Sequence, residues 1–227
     1  MASKIGELAA LGTAVCWAGS ALSFEAAGRR IGSLSVNLLR LPFALTALAA
    51  VGYVTRGLPL PTDATAEAWL WLSVSGLIGF VFGDLCLFRA LVVLGPRLSS
   101  LIMSTAPVFA ALFGWAFLGE VLSVVHWLGM ALVVGGISWA VGERVPQAAS
   151  RRPTTWGVLL AVGGAVGQAG GLVVAKFGMA SYSPFASTKI RIIAGILGFS
   201  LMFSLFGLWP RARAALGQRR AMKQLTA

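Results

Sequence analysis

Asp84 lies in the middle of Trp69–Gly95, an apolar stretch that otherwise reads as one bilayer-crossing helix. A carboxylate that far from either interface, on a side chain too short to reach water, is costly and calls for a partner or a task. Two roles are open to it: a static ion pair with Arg40 or Arg89, or the binding of a proton or substrate. Arg40 falls about one turn inside the second apolar segment, and Arg191, beside Lys189, is similarly placed in the last. Each arginine could extend its head to the interface or turn it into a polar cavity. Trp17 could supply a stacking face and Asn37 a hydrogen-bonding amide, although both residue types also serve as packing. Pro107, in the middle of a segment, lacks an amide proton and frees a carbonyl one turn earlier, which kinks the helix and offers an acceptor to a cavity. Asp84, Arg40, Trp17, Asn37, Pro107 and Arg191 are therefore the candidate substrate-binding residues.

Other chemistries find little to work with. The single histidine, His126, stands beside Trp127 at the edge of a segment, where such rings favour the interface. Cys16 and Cys86 lie inside apolar segments with no CxxC or Cys/His spacing, so they read as packing residues and no metal site is expected. Serine–histidine pairs, paired aspartates and HExxH are missing from the apolar segments, which argues against an intramembrane enzyme. GxxxxGK[ST] is absent too, so the chain carries no nucleotide motor of its own, and no cofactor is expected.

The elements that hold these residues follow from composition. The chain has 227 residues, 58% of them hydrophobic and only 11% charged. A soluble domain has about a quarter of its residues charged. A helix needs roughly 20 apolar residues to cross the hydrocarbon of a bilayer. Runs of that order occur near 8–27, 35–54, 69–93, 98–118, 123–141, 156–177 and 186–209. The expected fold is all-α, a polytopic membrane bundle of about seven transmembrane helices. The first run is too long for a signal peptide and is followed by Arg29 and Arg30 instead of a small-residue cleavage site, so it is read as a retained helix. Glu120, in the short connection between the fourth and fifth runs, is suited to capping the next helix or pairing at the interface.

The net charge of +11 is sorted by membrane side. Arg29, Arg30, Arg97, Arg144, Arg151, Arg152, Arg211, Arg213, Arg219, Arg220 and Lys223 fall on one face; Lys4, Arg56 and Lys176 fall on the other. The positive-inside rule then puts the amino terminus outside and the basic tail in the cytoplasm of a bacterial plasma (inner) membrane. The tail suits anionic headgroups, and nothing in it points to nucleic acid.

Sliding the chain on itself by 151 residues superposes Gly6, Leu8, Gly12, Ala18, Gly19 and Arg40 on Gly157, Leu159, Gly163, Ala169, Gly170 and Arg191. Matches of small residues are cheap in apolar helices, but the coincident arginines are not. Five spans separate the two copies, and an odd number inverts the second copy relative to the first. The expected organisation is a five-helix repeat over 1–142, a basic linker at 143–155, a partial second repeat of two helices over 156–209 and a basic tail at 210–227. Gly163, Gly167 and Gly171 form one row on the sixth span. Gly12 and Gly19 on the first, with Gly76, Gly79 and Gly83 on the third, extend a small-residue theme that favours close helix packing.

Phe88 to Ile137 resembles the EamA-type drug/metabolite transporter signature. It has the Ala90–Leu91 step, a mid-span Pro107, the turn Leu118–Gly119–Glu120, and a fifth helix opening Trp127–Leu128–Gly129. The resemblance implies a ten-helix architecture of two inverted halves with a cavity between them, of which this chain would lack the last three helices. It would then be a fragment, or a shortened form that covers the open cavity wall by self-association as a homo-oligomer. It implies a secondary carrier or exporter of a small metabolite or amphipathic compound, working by alternating access, with a proton as candidate coupling ion. Relatives commonly resemble an amino-terminus-inside arrangement, opposite to the charge count here. The rival readings are a seven-helix receptor, whose retinal type would need a lysine deeper in the last span than Lys189, and a non-functional fragment.

Overall fold

A computed structural model describes residues 2–142, 154–179 and 182–218. Arg144, Arg151, Arg152, Arg219, Arg220, Lys223 and most of the basic linker lie outside the described residues. Among the described residues the chain is helical without strands, and seven helices are long and apolar enough to cross a membrane.

The first two spans are α1 (Ala2–Ile31) and α2 (Ser33–Arg56). The third is composite: α3 (Ala66–Gly76), a π-helical stretch (Leu77–Gly83) and α4 (Asp84–Leu94). The fourth is α5 (Pro96–Met103) followed by α6 (Ala106–Leu118), and the fifth is α7 (Val124–Gly142). The sixth and seventh are α8 (Thr155–Met179) and α9 (Pro184–Leu205), with a short α10 (Trp209–Leu216) after them. Local chemistry sets the ends. Thr65 caps α3 by accepting from the Ala68 amide at 3.2 Å, which satisfies one of the donors left free at a helix start. Gly95 takes φ 86°, a conformation nearly reserved for glycine. Pro96 then starts α5, where its missing donor is not needed.

α8 is the central post, packed against α3, the π-helical stretch, α4 and α6, while α9 packs on α2 and α3. Glycine allows this closeness. A Cβ on Gly167 would stand 2.5 Å from Gly83 Cα, and one on Gly171 would stand 2.9 Å from Gly79 Cα. Ser75 Oγ donates to the Gly171 carbonyl at 2.5 Å across the same seam. The row on α8 thus meets the glycines of the third span, with Gly163 against the Cys86 thiol. Gly12 and Gly19 differ from the expectation: nothing lies within 4 Å of a Cβ at either, because this part of α1 is exposed. α7 has no residue buried against the rest of the described chain.

At one end of the bundle the α2–α3 and α8–α9 connections are clamped together. Arg56 pairs with Asp63 Oδ2, and the Tyr182 hydroxyl donates to Asp63 Oδ1 at 2.7 Å. The Arg56 guanidinium also lies 5.2 Å from the centre of the Tyr182 ring. Lys189 reaches this end from α9 and is fully buried, its Nζ donating to the carbonyls of Leu58 at 3.3 Å and Pro59 at 3.0 Å. At the same membrane face Lys176 Nζ donates to Glu120 Oε1 at 2.7 Å, so Glu120 takes up the pairing role. His126 stays exposed, its Nδ1 2.7 Å from Ser123 Oγ.

Two tests follow. Gly167→Ala should lower stability by about 1–3 kcal/mol, since the obstructing atom is backbone. Gly135→Ala, where nothing lies within 4 Å, should not. Thermal unfolding in detergent reads both. The Tyr182 hydrogen bond, followed by the Arg56 pair, holds the Asp63 carboxyl below its ordinary value. A depressed carboxylate stabilises the fold above its unfolded pKa of about 3.9 and loses that contribution as pH falls. The Tm gap between wild type and Asp63→Asn at pH 7 should therefore close below about pH 4.

Candidate functional site

The π-helical stretch ends at Gly83, and Asp84 opens α4 just beyond it. A π turn widens the helix and shifts the faces of the residues that follow by part of a turn. Asp84 is 3% exposed and every part of it is held. Arg40 Nη2, from α2, pairs with Oδ2. Gln168 Nε2, from α8, donates to Oδ1 at 2.7 Å. Asn37 Nδ2, one turn before Arg40, donates to the main-chain carbonyl of Asp84 at 3.2 Å.

Arg40 does not run out to the interface. Its guanidinium lies 4.9 Å from the Phe88 ring centre, 5.9 Å from Phe24 and 6.0 Å from Phe80. The electron-rich faces of three rings replace water around the charge, each contributing on the order of 1–2 kcal/mol where desolvated. Arg191, from α9, lies 5.1 Å from the same Phe80 ring, and its Nη2 is 3.0 Å from where a Cβ on Gly79 would be. It also attracts the Asp84 carboxylate through space. The two arginines that coincide in the internal repeat thus approach one ring from different helices. Arg40 Nε, Arg191 Nε and Asn37 Oδ1 are buried and without a hydrogen-bond partner among the described residues.

Beside this cluster is a cavity of about 130 Å³. Trp17, Phe24, Phe80 and Phe88 form its aromatic wall, and Arg40, Asp84, Gln168 and Ser100 supply its polar groups. Trp17 is half-exposed, so one face is open to solvent or lipid. The arrangement can hold a proton on Asp84, accept hydrogen bonds, donate from guanidinium and amide, and stack against a flat or apolar group.

Of the residues singled out in the sequence, Asp84, Arg40 and Trp17 line this cavity, Asn37 supports it from behind, and Arg191 adjoins it across Phe80. Pro107 is not part of it. It stands in the first turn of α6, after a break at Ser104–Thr105, where the Val108 and Phe109 amides both turn to the Thr105 carbonyl at 2.9 and 3.2 Å. The proline starts a helix there instead of kinking a continuous one. Arg89 is exposed, and of the two arginines considered for Asp84 it is Arg40 that pairs with it. Cys16 faces outward and Cys86 is half-buried against Gly163. Gln168 is not among the residues singled out; the available signal is an amide set between Gly167 and Gly170 in the middle of an apolar span. Among the described residues no group of acidic, histidine or cysteine side chains could hold a metal ion.

Comparison with known proteins agrees with this architecture. The profile of the EamA-like transporter family matches residues 4–142. An "Uncharacterized transporter in cobO 3'region" from Sinorhizobium sp is 32% identical over 107 residues, covering 47% of this chain and 75% of that protein. The profile spans more than half of the sequence and includes Arg40 and Asp84 in their paired helices. This integral membrane protein belongs to the EamA-like transporter family.

Proposed function

We propose that the protein is a secondary carrier that moves a small metabolite or amphipathic compound by alternating access, with the Asp84–Arg40–Gln168 cluster as its substrate and coupling site. The observation that carries this reading is a carboxylate in the middle of a spanning helix, paired to an arginine at the wall of an aromatic cavity. Ionisable residues at that depth are rare and mark a functional site by default. The centre holds two guanidiniums and one carboxylate, an excess of one positive charge, which favours a substrate bearing an anionic group. A proton arriving at Asp84 would release Arg40 to that group, and deprotonation would recapture it. Such an exchange couples two cargoes through one cation.

The cavity beside the cluster has a volume of about 130 Å³. A site for a whole metabolite is larger, on the order of 300 Å³ or more, so this one must widen for loading. The glycine seam between α8 and the third span allows sliding, and the clamp of Arg56, Asp63 and Tyr182 is the barrier that would open on one face. The internal repeat supports pairing a five-helix first half over 1–142 with an inverted partial half over 156–209, and the basic residues support a cytoplasmic tail. In a chain with Cys16 and Cys86 replaced by serine, cysteines introduced at Ser3 and Thr154 should be labelled from opposite sides of the membrane; labelling from the same side removes the inversion.

The carrier reading is tested in proteoliposomes under an imposed pH gradient with a metabolite panel. Asp84→Asn should keep the helical content and abolish gradient-driven flux. If the pair is only structural, Asp84→Asn retains flux. Stability provides the companion measurement. Removing either charge of the buried pair should cost about 3 kcal/mol, while Arg40→Gln with Asp84→Asn should recover most of that loss.

A further inference from the structure

At the end of the bundle opposite the Asp63 clamp, a second cavity of about 110 Å³ lies where α1 stops, α2 starts and α10 crosses. Gly32, at φ 82°, turns the chain between the two helices, and no side chain caps α2. The first bond at this end runs from the Val36 amide to the Gly32 carbonyl at 3.2 Å. The amides of Ser33, Leu34 and Ser35 therefore have no carbonyl partner and point from the positive end of a 24-residue helix, as the first amides of any helix do.

Two hydroxyls line the same space. Ser33 is 8% exposed and Ser35 3% exposed, and neither hydroxyl bonds another described residue. Arg89 from α4 and Arg211 from α10 complete the lining, and neither has a carboxylate: the ion pairs among the described residues are Arg29–Glu25, Arg40–Asp84, Arg56–Asp63 and Lys176–Glu120. Water alone could satisfy the serines. Arg89 and Arg211, both exposed on their outer side, bring two guanidiniums to the lining beside the start of α2. Every polar side chain in the lining is a donor or can be one, no carboxylate lines the cavity, and Phe203 and Leu208 close its apolar side.

We propose that this cavity is a binding site for a phosphate group, held by the α2 amides, Ser33, Ser35, Arg89 and Arg211. Guanidiniums and helix amino-terminal amides are the preferred partners of phosphate oxygens. The ends of α1, α2 and α9 put the site at the depth of lipid headgroups, and its apolar side suits the start of the acyl chains of an anionic phospholipid. A soluble phosphate-bearing anion presents the same recognition chemistry.

The test uses the full chain, purified and delipidated in neutral detergent, with thermal unfolding followed during titration with phosphatidylglycerol, phosphatidylcholine or inorganic phosphate. Native mass spectrometry reports retained lipid. Phosphatidylglycerol should raise Tm saturably where phosphatidylcholine does not. Arg89→Gln with Arg211→Gln should weaken that apparent affinity by at least on the order of tenfold. Ser35→Ala should weaken it less. Arg30→Gln with Arg213→Gln removes the same net charge outside the cavity and should leave the affinity unchanged. A saturable shift from inorganic phosphate, lost in the Arg89/Arg211 variant, upholds the site and assigns it to a soluble anion. Equal effects of the two phospholipids with no effect of phosphate overturn the site, as does equal loss in the two double variants, which would reduce it to a diffuse surface field.

Discussion

In hydrocarbon a charge has no water to return to, and the centre of this protein is organised around that constraint. The carboxylate of Asp84 is neutralised by Arg40, and Arg40 in turn is surrounded by the faces of Phe24, Phe80 and Phe88 instead of solvent. Neither residue could be buried singly at tolerable cost; together they can be, provided the remaining lone pairs and protons are met. Gln168 meets one on the carboxylate, and Asn37 holds the main-chain carbonyl of Asp84 beside it. The same need binds α2, α4 and α8 to one another, so the ion pair fixes the mutual position of three spans as well as the chemistry of the cavity.

Geometry at this depth depends on side chains that glycine does not have. Gln168 Nε2 reaches Asp84 because Gly167 and Gly171 bring α8 against Gly83 and Gly79 with backbone nearly touching backbone. Packing of small residues is the main attraction available between helices in lipid, where apolar side chains gain nothing by leaving one apolar medium for another. The π-helical stretch sits at this same seam. Its wider turn, where Gly79 and Gly83 meet α8, shifts the face on which the residues after it, Asp84 first, are presented.

Much of this is legible in the sequence and some is not, for identifiable reasons. Apolar run length depends only on the bilayer, so all seven spans are visible and their ends fall within a few residues of the helices. Asp84 and Arg40 are visible because ionisable residues are rare in such runs. Their pairing is one of two options, since Arg89 lies only five residues from Asp84 in sequence yet is exposed. The aromatic cage is not legible: Phe24, Phe80 and Phe88 look like any other lipid-facing phenylalanine until the helices are assembled. Pro107 misleads because a proline in mid-run has the same appearance whether it bends a helix or begins one after a break. The partners of Lys189 are not legible either: its Nζ finds the carbonyls of Leu58 and Pro59, just past the left-handed end of α2 at Gly57.

The repeat arginines carry the last step. Arg40 and Arg191 coincide when the sequence is slid on itself by 151 residues and share Phe80, yet among the described residues Arg40 alone of the two pairs with a carboxylate. A symmetric arrangement with two arginines and no acid would leave two cations unpaired at the midplane, and one with two acids would leave none free to act. One acid between two arginines is the intermediate case. It neutralises one of the two charges and leaves the Arg191 guanidinium behind Phe80, which separates it from the cavity. The asymmetry places a residual positive potential next to the aromatic wall. Lys189 shows that a buried cation in this protein can be satisfied by main-chain carbonyls; Arg191 Nε has no such partner among the described residues, and that difference is the physical basis of the proposal that an anionic group is held at the centre.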